Sequence, residues 1–150
     1  MPSTRTCPTL THQAAAIPCR FSARGGVQVL LITTGSGQWD VPKGHVEEDE
    51  VDHQAAAREA LEEAGVVGSV VRPRLGHFRY ERNGLEHRVS VYVMRVEETL
   101  DRWTERKARR RAWVTLREAQ RLVARAELRQ LLRRVDAAML MERTALRKAV

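Results

Sequence analysis

Glu59, Glu62 and Glu63 set the tightest constraint on this chain. Spaced i, i+3 and i+4, they are gathered by a helix onto one face. Three neighbouring carboxylates repel by roughly a few tenths of a kcal/mol per exposed pair, so such a face calls for a cation. Ala57, Leu61 and Ala64 fall on the opposite side. The helix is then apolar behind and acidic in front, and it must rest its back on another element. Oxygen ligands alone suit a hard divalent ion, Mg²⁺ or Mn²⁺, which combines a few carboxylates with waters and substrate phosphates. Glu50 is placed to reach back over the loop from Gly44, and the Arg58 guanidinium can fork onto a neighbouring carboxylate to fix its geometry.

Charge is unevenly placed. From Gly44 to Val66 eight acids face one base, Arg58, whereas from Asp101 to Val150 fifteen bases face six acids. The whole chain of 150 residues carries a formal charge of +7. An acidic island in a positive field suits a cation site that draws in a polyanion. With 43% hydrophobic and 30% charged residues the composition is that of a globular protein, which excludes a disordered or collagen-like chain. No apolar run reaches the roughly 18–20 residues of a membrane span, and Met1–Leu10 lacks the apolar core of a secretory signal. Cys7 and Cys19 lack metal-ligand spacing and read as reduced thiols. These features lead to the expectation of one cytoplasmic domain, residues 1–150.

Two strands are predicted at Leu10–Arg20 and Val27–Thr33, joined at Gly25-Gly26, with a short extended piece at Trp39–Val41 before Pro42. A helix follows from about Glu50 to Ala64, capped by Asp49 or Asp52 and stopped at Gly65. Further strands are expected at 66–74, 76–82, 88–96 and 111–114, with Asn83-Gly84 as a hairpin turn. Thr115 and Glu118 form a capping box. Leu116, Ala119, Leu122 and Val123, then Leu128, Leu131, Leu132, Val135 and Met139, keep helical spacing and read as core. Trp39 and Trp113 read the same way. The alternation of strands and helices gives an α/β fold: a mixed sheet with helices on its faces.

The run from Gly44 to Val66 reads Gly-x5-Glu-x7-Arg-Glu-Ala-x-Glu-Glu-x-Gly-Val. It resembles the Nudix box at every fixed position, with Ala60 where a larger aliphatic is usual. The segments 13–20, 27–33, 38–43 and 109–119 fall where that family places strands and its last helix. The resemblance implies an α/β/α sandwich, with the helix of the box on one side of a mixed sheet and a C-terminal helix on the other. It implies a hydrolase that uses Mg²⁺ or Mn²⁺ to cleave a phosphoanhydride by water attack at phosphorus. Glu59, Glu62 and Glu63 would be metal ligands, joined by the backbone carbonyl of Lys43 or Gly44. Glu62 or Glu63 would take the proton, supported by Arg58 and Glu50. Some relatives use a glutamate outside the box instead, for which Glu81, Glu86 and Glu105 are the candidates. Members are often homodimers.

Two groups within the family compete. Gly76–Tyr80, His87–Val93, Asp101–Trp103 and Arg109–Trp113 resemble diphosphoinositol polyphosphate phosphohydrolases. Trp39–Glu47 is more similar to asymmetric diadenosine tetraphosphate hydrolases, since the inositol enzymes usually carry glycine where Lys43 stands. Lys43, His45, His87, Arg88, Arg109 and Arg111 are the expected substrate-binding residues, although strand alternation sends neighbours to opposite faces. The expected partner is a small anionic polyphosphate, dinucleoside or diphosphoinositol, with no membrane. Alternatives are a pyrophosphohydrolase of RNA 5′ ends or of nucleoside-diphosphate sugars, and a catalytically silent binding module. Seven aromatic residues are too few for an extended nucleic-acid stacking platform.

Overall fold

A computed structural model describes residues 10–149. Cys7 and the rest of the Met1–Thr9 stretch lie outside the described residues. The organising element is β1 (Leu10–Phe21). It runs parallel to β7 (Leu85–Thr99), in register from Leu10 beside Glu86 to Cys19 beside Arg95. On its other edge it pairs antiparallel with β4 (Lys43–His45) and with β2 (Val27–Thr33). Beyond β2 lie β3 (Trp39–Asp40) and β8 (Arg111–Thr115), and beyond β7 lie β5 (Val66–Val70) and β6 (Gly76–Arg82). The eight strands make one mixed sheet. Asn83, at φ 52°, sits in the turn between β6 and β7 where the Asn-Gly pair predicts it.

Alternation along β1 and β7 gives the sheet two apolar faces. On one face Ala14, Ala16, Leu30, Ile32, Tyr92 and Met94 meet Ala55, Ala56, Ala60 and Ala64 of the acidic helix. That helix is α1 (Asp52–Glu59), continued by a π-type turn at Ala60–Ala64. On the other face Ala15, Ile17, Val29, Leu31, Val89, Val91 and Val93 are covered by α2 (Leu116–Leu122), α3 (Ala126–Leu132) and α4 (Val135–Lys148). The architecture is the expected α/β/α sandwich. Leu128, Leu131, Leu132, Val135 and Met139 are all buried, as their spacing predicts. Leu132 is fully buried, so Leu132→Ala should destabilise the fold by about 2–5 kcal/mol, measured by denaturant unfolding.

Several local expectations are corrected. The N-cap of the helix is Val51, not an aspartate: Asp52 lies in the first turn, and the Gln54 side chain accepts the Val51 N–H at 3.3 Å. Leu61 is exposed, because the wider i→i+5 turn places Ala60 and Ala64 on the sheet and swings Leu61 outward. Leu122 is also exposed, at the end of α2. The strand at Val66 stops at Val70, before Pro73, whose ring nitrogen has no hydrogen to donate. Trp39 and Trp113 are partly buried against the two cores. Cys19 is buried and free, and burial pushes its thiol pKa up, which makes it inert. No helix among the described residues is long and apolar enough to cross a membrane.

Candidate active site

The acidic face of α1 meets β4 where the chain returns along β1. Gly44 touches this face so closely that a Cβ added there would stand 2.2–2.7 Å from the Glu59 carboxylate. Only glycine fits beneath that group. The neighbouring Lys43 N–H donates to Glu63 Oε2 at 3.2 Å. Glu59 and Glu63 are both buried, whereas Glu62 is half-exposed at the rim.

Arg58 organises one half of the cluster. Its Nε and Nη2 donate to the two carboxylate oxygens of Glu50, each at 2.8 Å, and Nη1 donates to Glu59 Oε1 at 2.8 Å. Nη2 also donates to the His45 carbonyl at 2.9 Å, and Glu62 lies 3.6 Å from Nη1. The fork onto Glu50 holds that carboxyl below its ordinary pKa. Arg109 organises the other half from the segment before β8. It stands 3.2 Å from Glu63 Oε1, donates to Glu105 Oε1 at 3.1 Å, and is anchored by the Thr33 carbonyl at 3.0 Å. Burial, aided by Glu59, outweighs Arg109 and lifts the Glu63 carboxyl to about 8.

The two arginines correct one premise. The acids do not need a metal ion to be tolerable, because Arg58 and Arg109 already neutralise them in part. With the carboxylates drawn onto guanidinium groups, no three acid, histidine or cysteine side chains among the described residues stand grouped as a ready metal cage. The residues nonetheless fit a hard cation. The donors are all oxygens, the Gly44 cradle leaves Glu59 room, and Glu63 is a buried carboxyl short of positive charge.

Beside these groups opens a cleft of about 310 Å³. Its walls are Gln13, Thr34, Gly35, Asp40, Val41, Lys43, Gly44, His45, Glu63, Tyr80, Arg82 and Arg109. Lys43 Nζ donates to Asp40 Oδ2 at 2.7 Å, so its charge is shared. A second cleft of about 330 Å³ adjoins through Thr34 and Asp40, and Trp39 and Arg125 help to line it.

The structure thus brings together Glu50, Arg58, Glu59, Glu62, Glu63, Lys43, Gly44, His45 and Arg109. Three of the expected substrate-binding residues stand outside the lining of this cleft. Arg88 leaves on the opposite face of β7 from His87, beside Ser90, and its Nε is buried without a partner. Arg111 turns to the end of the acidic helix, where it donates to the Ala64 and Leu100 carbonyls. His87 is buried; it hydrogen-bonds Thr11 and stacks under Tyr80 at 4.7 Å, supporting a cleft wall without forming it. Of the three outlying glutamates, Glu105 reaches the site through Arg109, while Glu86 pairs with Arg79 and Glu81 is exposed. Gln13, Asp40, Tyr80 and Arg82 are not among the expected site residues, since β1, β3 and β6 bring them together only in the fold. The Tyr80 hydroxyl donates to Gln13 Oε1 at 2.9 Å.

Comparison with known proteins gives the same picture. A NUDIX domain family model matches residues 10–135. Nudix hydrolase 21, chloroplastic, of Arabidopsis thaliana is 36% identical over 123 residues, covering 77% of this chain and 61% of that protein. Diphosphoinositol polyphosphate phosphohydrolase 2 of Rattus norvegicus is 40% identical over 109 residues, covering 70% of this chain and 59% of that one. The chain therefore spans about three-fifths of the length of these two curated relatives. The crystal structure of C. elegans Ap4A hydrolase superposes with a TM-score of 0.70 at 26% identity, covering 87% of this chain and 99% of that one. Nudix hydrolases generally use divalent metal ions, as this oxygen-lined cluster suits. Family match, sandwich fold and an intact box of acids agree, and this chain belongs to the Nudix hydrolase family.

Proposed function

We propose that the chain hydrolyses a phosphoanhydride of a small polyphosphate with a divalent cation, Mg²⁺ or Mn²⁺, and that dinucleoside polyphosphates suit its cleft better than diphosphoinositol polyphosphates. The observation that carries the reading is the juxtaposition of the acidic cluster with a cleft walled by Lys43, Arg82 and Arg109. The choice between substrates rests on counting unshared cations. Lys43 is paired with Asp40 and Arg109 with Glu63 and Glu105, while Arg88 lies on the opposite face of β7 from His87 and Arg111 is engaged at the helix end. Arg82 is then the one cleft-wall guanidinium without an ion-pair partner among the described residues, too little for a ring bearing seven or more phosphates. The adjoining cleft with Trp39 and Arg125 gives an elongated substrate somewhere to extend.

Glu59, Glu62 and Glu63 would hold the cation. Of the two candidate carbonyls, that of Lys43 is the better placed. Pro42 and Val46 bond to β1, so Gly44, midway between them, pairs with Ala14 in the ladder, whereas Lys43 turns its N–H to Glu63 and its carbonyl to that same side. When bound, the ion would neutralise phosphate oxygens and acidify a water. Arg58 keeps Glu50 and Glu59 in register through its fork. Glu63, whose buried carboxyl faces the cleft beside Lys43 and Arg109, would accept a proton from the attacking water. Glu105, on the far side of Arg109, is the second group able to do so. The reading includes a cytoplasmic location, which fractionation would check.

A phosphate-release screen with Mg²⁺ and Mn²⁺ tests it, using diadenosine polyphosphates, diphosphoinositol phosphates, ADP-ribose, nucleoside triphosphates and 5′-triphosphate RNA. The expected result is the highest kcat/KM on a diadenosine polyphosphate. A higher value on the inositol compounds would reverse the preference, and no turnover of any of them would overturn the hydrolase reading.

A further inference from the structure

A helix ends with four carbonyl groups that have no partner inside it. In the acidic helix these belong to Glu62, Glu63, Ala64 and Gly65, because the Gly65 N–H closes the π-type turn on the Ala60 and Leu61 carbonyls. All four are taken by the segment that joins β7 to β8 and by the first residue of β8. Glu105 N–H donates to the Glu62 carbonyl at 3.0 Å, and Leu100 N–H to that of Gly65 at 2.8 Å. The Trp103 indole N–H donates to the Glu63 carbonyl at 3.0 Å. Arg111 Nη1 donates to the Ala64 carbonyl at 2.9 Å, and its Nη2 to the Leu100 carbonyl at 2.5 Å.

These donors interlock. The Arg111 guanidinium lies over the Trp103 ring, 3.8 Å from its centre. Both crowd Gly65, where a Cβ would stand 2.7 Å from Trp103 and 2.8 Å from Arg111. Gly65 also has a φ of +66°, so the turn and the close approach both require glycine there. The same segment sends Arg109, held by Glu105, forward to the Glu63 carboxylate. One stretch of chain therefore holds the glutamate backbone from behind and the carboxylate from in front. π-type turns are rare and occur mostly as single turns inside α-helices, and this one has all four of its terminal carbonyls held from outside the helix.

We infer that Trp103 and Arg111 are positioning residues for the reaction: by fixing the Glu63 and Ala64 carbonyls they hold the turn that carries the Glu62 and Glu63 carboxylates. The inference rests on the hydrolase reading for its kinetic consequence, but not for its structural one.

Three variants test it. Trp103→Phe keeps a ring beneath Arg111 and removes only the indole donor. Arg111→Gln removes the stack and the carbonyl bridge. Leu132→Ala, on the other face of the sheet, is the control for lost stability alone. Each would be assayed with a diadenosine polyphosphate and Mn²⁺, and each would be followed metal-free by amide hydrogen exchange at Ala64 and Gly65. Loss of supporting contacts around metal ligands typically costs about 10- to 100-fold in activity or metal affinity. The expected result is that decrease in kcat for Arg111→Gln, a smaller one for Trp103→Phe and KM almost unchanged in both. Exchange at the two amides should be faster by about tenfold or more, as for a locally opened segment. Leu132→Ala should lower Tm yet leave kcat intact below its transition. Wild-type kcat and unchanged exchange in both clamp variants would overturn the inference. If the unaltered chain turns over no substrate, the hydrolase reading fails by itself, and the exchange data still decide the clamp.

Discussion

Glu63→Gln is expected to fold normally and to lower kcat by about 10²–10⁴-fold, the range typical of a lost acid–base group. The side chain keeps its size and can still accept the Lys43 N–H at its carbonyl oxygen. It loses the proton-accepting carboxylate and the charge toward a cation. Wild-type turnover in this variant would refute the assigned role. A second measurement separates chemistry from stability. The wild-type carboxyl is raised from about 4.5 to about 8 in the folded state, chiefly by burial. Between those values the unfolded chain gives up this proton and the folded chain keeps it. Stability of the metal-free protein from this group therefore falls as pH rises from about 4.5 to about 8, and levels off above. Glutamine cannot ionise, so metal-free Glu63→Gln should melt at a higher temperature than the wild type at pH 8–9. Near pH 4 this difference should vanish. Because a metal ligand must be deprotonated, Mn²⁺ affinity of the wild type should climb over the same interval, a trend calorimetry can follow.

Gly44→Ala should be nearly as damaging with a single methyl group. The new Cβ would overlap the Glu59 carboxylate, 2.2 Å from its nearer oxygen, and one of the two must move. Glu59 is held by Arg58 and β4 by its ladder to β1, so neither yields freely. Misplacing a reacting group by about 1 Å can cost on the order of 10²-fold, which sets the expected decrease in kcat. The Mn²⁺ concentration giving half-maximal rate should rise as well. Unaltered kcat and Mn²⁺ dependence would mean that Glu59 can leave its place at no cost to function.

Much of this was legible from the residues. Alternation marked β7 and its turn, helical spacing marked α3 and α4, and the fixed pattern from Gly44 to Val66 marked the acids. What escaped has physical reasons. Ala60–Ala64 reads equally well as α or π, and only packing against Ala14 and Ala16 settles the turn and turns Leu61 outward. The partial neutralisation of Glu63 comes from Arg109, which the fold brings near but no local spacing connects. Arg109, Arg110 and Arg111 look alike in sequence. One serves the cleft and another the helix end because Arg109 lies ahead of β8, whereas Arg111 opens that strand over the Trp103 ring. Asp40 was the least visible partner, since its effect is to mute Lys43 and not to add a group.

The seam between β1 and the acidic helix is built from methyl groups: Ala14 and Ala16 on one side, Ala55, Ala56, Ala60 and Ala64 on the other. Methyl groups have no rotamers to exchange, so the distance between the two backbones is fixed by contact alone. Cleft-wall residues such as Thr34 and Arg82 hang on other parts of the scaffold. Those walls can therefore be rebuilt while the acidic helix stays where it is, which makes this architecture a ready chassis for altered cleft chemistry.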